Sequence, residues 1–392
     1  MNNLFSCSLR FNPAHISLVF ISFIIFSIGC RKANIDNKDL RDFKQVNLVA
    51  NNGSYSPVLV DPTLQNAWGL AWAPSGIAWV NSQAGHVSEL YTGEGAIVRP
   101  PVNIPSPADT IGGNPTGIVF AGGAGFKLSN GQAPNFLFDG VDGVVSGWNG
   151  AAGNNALRIA DNSSSSAYTG LTLATWNGSH FLYAANFRAG KIDVWDTTFT
   201  SVPMAFNDPG IPSGFSPFNI QSIGSWLYVE YAKVGPDGRD QPGAGLGYVS
   251  IFNPDGSFVK RFASKGTLNA PWGVVLTPAN FLDDGDMNDD DHGHKNGNEG
   301  PGNNNGNKGH DDNGQQPVIL VGNFGDGYIN VFSTDGEYLG QLQSHNQKIW
   351  IDGLWALSFA PTTATTIDPK RLYFTAGPAK ETDGLFGYLI KD

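Results

Sequence analysis

Apolar runs recur along the chain in a fixed order: a strand opening on a small residue, a second hydrophobic strand, a polar turn, and a third strand ending in an aromatic. Six copies align. The first runs from Asn66 to Trp72 (NAWGLAW), resumes over Ile77 to Asn81 and closes over His86 to Tyr91. The others begin at Asn114, Ala167, Ser216, Asn269 and Asp352. Their reference positions Gly69, Gly117, Gly170, Asn219, Gly273 and Ala356 stand 48, 53, 49, 54 and 83 residues apart. The last step is long because a polar insertion interrupts the fifth copy.

A period of roughly 50 residues with three or four short strands per copy predicts an all-β fold, a six-bladed β-propeller, because one such sheet cannot bury both faces alone. The innermost strands read as nearly continuous apolar runs (GLAW, GIVF, GVVL), as strands covered on both sides do, and the Gly near their start lets backbones converge at an axis. A solenoid stack is the alternative and would need atypical capping repeats. Phe43 to Ala50 (FKQVNLVA) precedes the first full copy and alternates like a strand. It is predicted to pair with the last blade and close the ring, so the propeller spans residues 43–392.

The N-terminus reads as an address. Ile16 to Ile28 is apolar, follows Arg10, is too short to span a bilayer and has the length of a signal-peptide core. It leads into Ser27-Ile28-Gly29-Cys30, which resembles a bacterial lipobox with Ser27 where Leu is usual; an ordinary secretory peptide is the alternative. The lipobox reading makes 1–29 the signal peptide, Cys30 the lipidated residue and 30–42 a polar tether. The resemblance implies an exported protein anchored to a membrane through Cys30, with Arg31 favouring the outer membrane of a Gram-negative cell envelope. Cleavage would also remove Cys7, leaving no disulfide to form.

Composition agrees with an all-β chain: 50 Gly and 24 Pro accompany 41% hydrophobic residues among the 392. After cleavage 22 basic residues face 34 acidic ones, so nucleic acid is not an expected partner. Nine of the acids lie between Asp283 and Asp312. This Gly-, Asn- and Asp-rich insert, 283–316, cannot form a core and reads as a disordered loop in blade five. Asp284, Asp286 and Asn288 begin an EF-hand pattern for calcium that fails at Asp289 and Lys295. A monomer is expected.

Chemistry in a propeller sits at the funnel, where loops lead into the innermost strands and leave the second strands. The alignment nominates Asn66, Trp68, Asn114, Asn219, Asn269, Trp272, Asp352 and Trp355 at the first kind of position. Asn81, Asp139, Asn186, Glu230, Asn323 and Thr375 stand at the second. The oxygens could converge on calcium. Alternatively, Asn and Asp beside Gly-containing turns cap their own backbone. Glu230 is a poor turn former where other copies carry Asn or Asp. The tryptophans could stack on a sugar or pack between blades. No G-x-S-x-G, H-E-x-x-H or Walker pattern is present.

The strings VGNFGDGYINVF (Val321 to Phe332), IDGLWALSF (Ile351 to Phe359), LYFTAG (Leu372 to Gly377) and NAWGLA (Asn66 to Ala71) resemble an uncharacterised family of secreted bacterial six-bladed propellers. The resemblance covers about residues 44–390 and implies fold and export but no activity; the long acidic insert departs from it. More distantly the blades look like NHL repeats and gluconolactonase-type propellers. That second likeness implies a metal-dependent hydrolase of the lactonase or phosphoesterase type, with Glu230, Asn186 and Asp352 as the matching residue types. Two readings are therefore carried forward: a lipid-anchored binding or scaffold module for a glycan, small molecule or protein, and a calcium-dependent hydrolase.

Overall fold

The computed structural model describes residues 39–283 and 316–392. The signal peptide, Cys30, most of the tether and the body of the acidic insert with its calcium pattern lie outside the described residues.

Six sheets form a closed ring. Blade one is built from Ala67–Trp72, Ala78–Ser82, Val87–Tyr91 and Val102–Asn103, and blade two from Pro115–Phe120, Phe136–Gly140, Val144–Trp148 and Leu157–Asp161. Blade three has three strands, with Tyr168–Trp176 innermost; blades four and five start at Phe215–Ile223 and Pro271–Leu276. Blade six orders Leu354–Phe359, Leu372–Ala376 and Leu385–Lys391, and the chain's first strand Phe43–Ala50 then pairs antiparallel with Leu385–Lys391. The ring is thus closed by joining the two ends of the propeller. A second short strand, Leu59–Val60, adds to Phe43–Ala50 in parallel.

Ordered contact begins before the strand. Leu40 is fully buried between blades five and six, its carbonyl accepts from Gln343 N at 2.8 Å, and Asp392 N bonds the Asp42 carbonyl at 2.9 Å. Residues 39–42 therefore belong to the propeller rather than to the tether assigned to 30–42, because Leu40 supplies an apolar anchor.

Each interface between blades holds its own apolar core. Trp79, Phe136, Phe138 and Trp148 fill the space between blades one and two, and Tyr183, Val229, Tyr248 and Phe252 that between three and four. A seventh cluster lies on the axis.

The inner strands meet at very short range. A Cβ on Gly69 would stand 2.2 Å from the Thr116 carbonyl oxygen of the next blade, and one on Gly117 would stand 2.4 Å from Leu171 N. Glycine is required there by space. Every inner strand also carries a register shift at this level, between Ala67 and Leu70 in blade one and at the matching point in the other five. Such bulges leave backbone groups without ladder partners.

Deletion of residues 43–50 is expected to abolish cooperative unfolding near the wild-type melting temperature, since it strips a full strand from blade six and removes the buried Phe43, Leu48, Val49 and Ala50 from the clusters that hold Leu389 and Phe386. Differential scanning calorimetry checks this. Gly117→Ala should cost about 2 kcal/mol through overpacking against backbone that cannot yield.

Candidate functional site

The second-strand polar residues divide by register. Asn81, Asp139, Glu230 and Thr375 occupy one structural position, since each follows the residue opposite Leu70, Ile118, Ile220 or Leu357 of its own inner strand. Asn186 and Asn323 stand one residue later, so their side chains leave the opposite face of the strand.

The first set serves the bulges. Asp139 Oδ1 accepts from Gly117 N at 2.7 Å and from the Thr116 hydroxyl at 2.9 Å, and Thr116 Oγ1 also lies 2.8 Å from the Tyr168 carbonyl of blade three. Asn81 Nδ2 donates to the Thr116 and Gly117 carbonyls of blade two at 3.0 and 3.1 Å. Thr375 Oγ1 accepts from Ala356 N and donates to the Trp68 carbonyl of blade one. In blade four Asn219 reaches the Trp272 carbonyl itself at 2.7 Å. Glu230, opposite Asn219, is left fully buried, and both its oxygens lack a hydrogen-bond partner among the described residues. Burial raises its pKa well above the ordinary carboxylate value.

The second set holds turns. Asn186 donates to Ser166 Oγ and Asp193 Oδ2 and accepts from Ala189 N; Asn323 donates to the Thr267 carbonyl and Asp326 and accepts from Asn269 N. Asp352 is exposed and its Oδ2 accepts from Ala379 N at 2.9 Å. The trio suggested by lactonase likeness, Glu230, Asn186 and Asp352, serves three separate surroundings: Glu230 is sealed inside a sheet, Asn186 ends a strand of blade three and braces the turn that follows, and Asp352 braces a loop of blade six. Among the described residues no group of three or more His, Cys, Asp or Glu could hold a metal.

The tryptophans are also placed otherwise than a sugar platform requires. Trp355 is fully buried on the axis, stacked on Trp68 at 3.5 Å and on Phe324 at 3.9 Å between ring centroids, with Trp272 edge-on at 5.9 Å. Trp355 Nε1 donates to Asn66 Oδ1 at 2.8 Å and Trp272 Nε1 to the Thr169 carbonyl at 2.7 Å. These rings plug the channel, and both faces of Trp355 are taken.

Above the plug opens a cavity of about 420 Å³, lined by Trp68, Phe187 and Phe218 at its apolar part and by Gln83, Thr169, Arg188, Asp237, Arg239, Asp240 and Glu381 elsewhere. It lies on the face where the loops lead into the inner strands. Asn66 links its parts, donating to Gln83 Oε1 at 3.0 Å and Glu381 Oε2 at 3.1 Å; Gln83 continues to Asn114 Oδ1 at 3.2 Å. Arg239 forms an ion pair with Glu381, tying blade four to blade six across the mouth.

Two residues that line this cavity each hold one polar atom sealed from solvent and without a partner among the described residues. Trp68 is 4% exposed and its Nε1 has no partner among the described residues; Asp240 Oδ2 is likewise buried and partnerless. Burial and the charge of Glu381 push the Asp240 carboxyl up to about 6, against the opposing pull of Arg239.

Glu381 is held in an unusual backbone. Ala379, Lys380 and Glu381 have φ of 53°, 59° and 68°, three consecutive left-handed residues without a glycine. Each costs roughly 1–2 kcal/mol. Asp352 on Ala379 N and the Gly377 carbonyl on Glu381 N, at 3.0 Å, hold the turn in place. Strain of this kind concentrates at functional sites.

Glu381, Asp240 and Arg239 escaped the repeat alignment because they lie in connections outside it. Connection length carries the missing signal. Between second and third strands, blades one, two, three and five have 4, 3, 4 and 5 residues, whereas blades six and four have 8 and 13. The two long ones meet at the Arg239–Glu381 pair.

A separate acidic pair joins the ring closure to blade one. The Thr63 hydroxyl lies 2.6 Å from Asp61 Oδ1 and 2.5 Å from Glu89 Oε1, and Tyr91 donates to Asp61 Oδ2 at 2.8 Å. One hydroxyl has one proton, so the second contact needs a carboxyl proton. Burial raises Glu89 to about 7, with Thr63 pulling the other way and the Asp61 charge adding to the rise.

No protein-family model matches the chain. Uncharacterized protein L690 of Acanthamoeba polyphaga mimivirus is 32% identical over 372 residues, covering 89% of this chain and 86% of that protein. Uncharacterized protein R648 of the same virus is 29% identical over 397 residues, covering 97% and 87%. The chain that resembles a secreted bacterial group thus has relatives in a virus. Among solved structures, a streptogramin B lyase aligns at a TM-score of 0.48 with 12% identity over 89% of this chain and 97% of that one. A gluconolactonase from Xanthomonas campestris aligns at 0.43 with 13% identity over 84% and 86%.

Stability should fall as pH rises through Glu89's window. The unfolded chain loses this proton above about 4.5 while the folded chain keeps it to about 7, so up to about 3 kcal/mol is lost between those values. Glu89→Gln should flatten that part of the profile. Urea unfolding at pH 5 and 8 checks it; equal slopes for wild type and variant would contradict the buried proton.

Proposed function

The chain belongs to the same family as Uncharacterized protein L690 of the mimivirus, and from that premise we propose that it is a binding propeller that takes a small organic ligand into its funnel cavity. The observation that carries this reading is the cavity itself. Its volume of about 420 Å³ lies in the range of small-molecule sites, roughly 300–1,000 Å³, which combine an apolar lining with a few convergent polar groups. Trp68, Phe187 and Phe218 supply the lining; Asp240, Glu381, Arg239, Arg188 and Gln83 supply the polar groups.

The left-handed turn supports the same reading. It sets Glu381 against Arg239 and Asn66 at the mouth, and a scaffold that used only the outer rim would not need it. In this reading the metal-dependent alternative is set aside, because Glu230 is sealed inside its sheet while Asn186 and Asp352 are engaged with their own turn and loop. The anchoring of the propeller at a membrane through Cys30 is a further part of the proposal and rests on the Ser27-Ile28-Gly29-Cys30 string alone. Mass spectrometry of the mature protein tests it, and an unmodified Cys30 would remove it.

The pocket reading is tested by screening a library of ring-bearing polar fragments by ligand-observed NMR, with indole fluorescence as a second signal. Arg188 is exposed and lines the cavity, so Arg188→Trp should obstruct the mouth without disturbing the core. Saturable binders are expected for wild type, with affinity reduced at least about tenfold in the variant. Binders indifferent to Arg188→Trp, or none at all, would overturn it.

A further inference from the structure

We propose that the face opposite the funnel carries a second binding site, a groove between blades three and four that takes a neutral saccharide against Trp176. The groove shares no lining residue with the funnel cavity.

The repeat is broken here in length. Past the register-matched residues Leu70, Ile118, Val274 and Leu357, the inner strands end at Trp72, Phe120, Leu276 and Phe359, two residues on. Blade four ends at Ile223, three residues past Ile220, and blade three at Trp176, five past Leu171. The three extra residues of blade three, at about 3.3 Å each, carry its hairpin roughly 10 Å beyond the common level. Its turn is Asn177-Gly178 with φ of 48° and 77°, the conformation that a two-residue hairpin of matching twist demands. The projecting hairpin is thus built to stand by itself.

Alternation along the strands decides which side chains face the groove. Thr172 Oγ1 accepts from Ser222 N of blade four at 3.1 Å, and Ala174 packs against the apolar cluster between these blades. Trp176, two residues further, leaves the strand on that same side. On blade four Ile220 belongs to that cluster, so Ser222 also faces blade three. Tyr183, opposite Thr172 in its sheet, donates to the Pro254 carbonyl of blade four at 2.6 Å. These two bonds fix the blades against each other, and beyond them lies a groove of about 500 Å³. That volume is within the range of small-molecule sites, roughly 300–1,000 Å³.

The lining selects the ligand. None of the residues that form the groove is ionisable, so a charged ligand would lose hydration without gaining an ion pair. Trp176 is half-buried, and its Nε1 is open to solvent with no partner among the described residues. Across from it Ser222 Oγ and Asn253 Oδ1 are likewise open and unpartnered there, the Asn253 amide being oriented by its donation to Ser257 Oγ at 2.9 Å. Ser225 adds an exposed hydroxyl at the turn of blade four. An indole face, one fixed donor, one fixed acceptor and two hydroxyls therefore meet in one place. A sugar ring matches them, because its C–H face is apolar and each hydroxyl on its rim both donates and accepts.

Saturation-transfer NMR on the full chain tests this with cellobiose, maltose and N,N′-diacetylchitobiose as neutral probes, and glucosamine and glucuronate as charged ones. At least one neutral disaccharide is expected to bind saturably and more tightly than either charged sugar. Trp176→Ala should weaken it at least about tenfold, and Trp176→Phe, which keeps a ring, less than about fivefold. Ser225→Arg, at an exposed turn position, should block the groove without touching the core, and matching melting curves certify that the variants are folded. Arg188→Trp should leave the affinity unchanged, which separates this site from the funnel. Silence from all three disaccharides, tighter binding of a charged sugar, indifference to Trp176→Ala and Ser225→Arg, or loss of binding on Arg188→Trp would each overturn the assignment.

Discussion

The structure depends on how six backbones are brought together at one axis. Inner strands in contact at Gly69 and Gly117 leave no room for a Cβ, and the bulge at that level strips backbone groups of their ladder partners. Unpaired groups buried this deeply would each cost on the order of 1–3 kcal/mol. Asn81, Asn219 and Thr375 answer that cost by bonding backbone of the next blade, and Asp139 does so by capping Gly117 N of its own bulge while the neighbouring Thr116 hydroxyl reaches the Tyr168 carbonyl of blade three. What holds one blade to its neighbour is therefore a short polar bond at the axis, with an apolar core outside it.

That constraint explains why polar residues at the second strand recur. At Asn81, Asp139 and Thr375 they are repeated because the bulge is repeated, whereas Asn186 and Asn323, one residue later, hold turns. It also explains the odd case: blade four carries its clasp on the inner strand, as Asn219, so Glu230 inherits the position without the task and stays buried with neither oxygen bonded among the described residues. A residue-type comparison sees Glu230 as the candidate for chemistry because it breaks the pattern. The structure shows that the break lies in which strand supplies the clasp.

The fold was legible for the same reason that the site was not. Blade number, the closing strand Phe43–Ala50 and the axial glycines all follow from a pattern repeated six times, and repetition makes weak local signals add. Leu40 was missed because a single anchor does not repeat. The role of the tryptophans was hidden because NAWGLAW and IDGLWALSF do not say that Trp68 and Trp355 come from the two ends of the ring and stack face to face. Arg239 and Glu381 are 142 residues apart in sequence, and only the length of their two connections sets them apart.

The plug and the mouth can be viewed as one device. Asn66 accepts from the Trp355 indole with its oxygen and donates to Gln83 and Glu381 with its nitrogen, so a single buried amide couples the axial stack to the polar rim. The orientation of this amide is fixed: turning it over would place an N–H against an N–H and an oxygen against a carboxylate. Its own φ of 47° and the left-handed turn that carries Glu381 are both conformations that a stable scaffold avoids unless surrounding bonds impose them. The rigid plug thereby fixes the position of the rim acid, and the rim acid fixes Arg239. A propeller needs none of this to fold, since the other four blades manage with connections of three to five residues. The strain is concentrated where the cavity is, and the cavity is where ligand chemistry differs from blade chemistry.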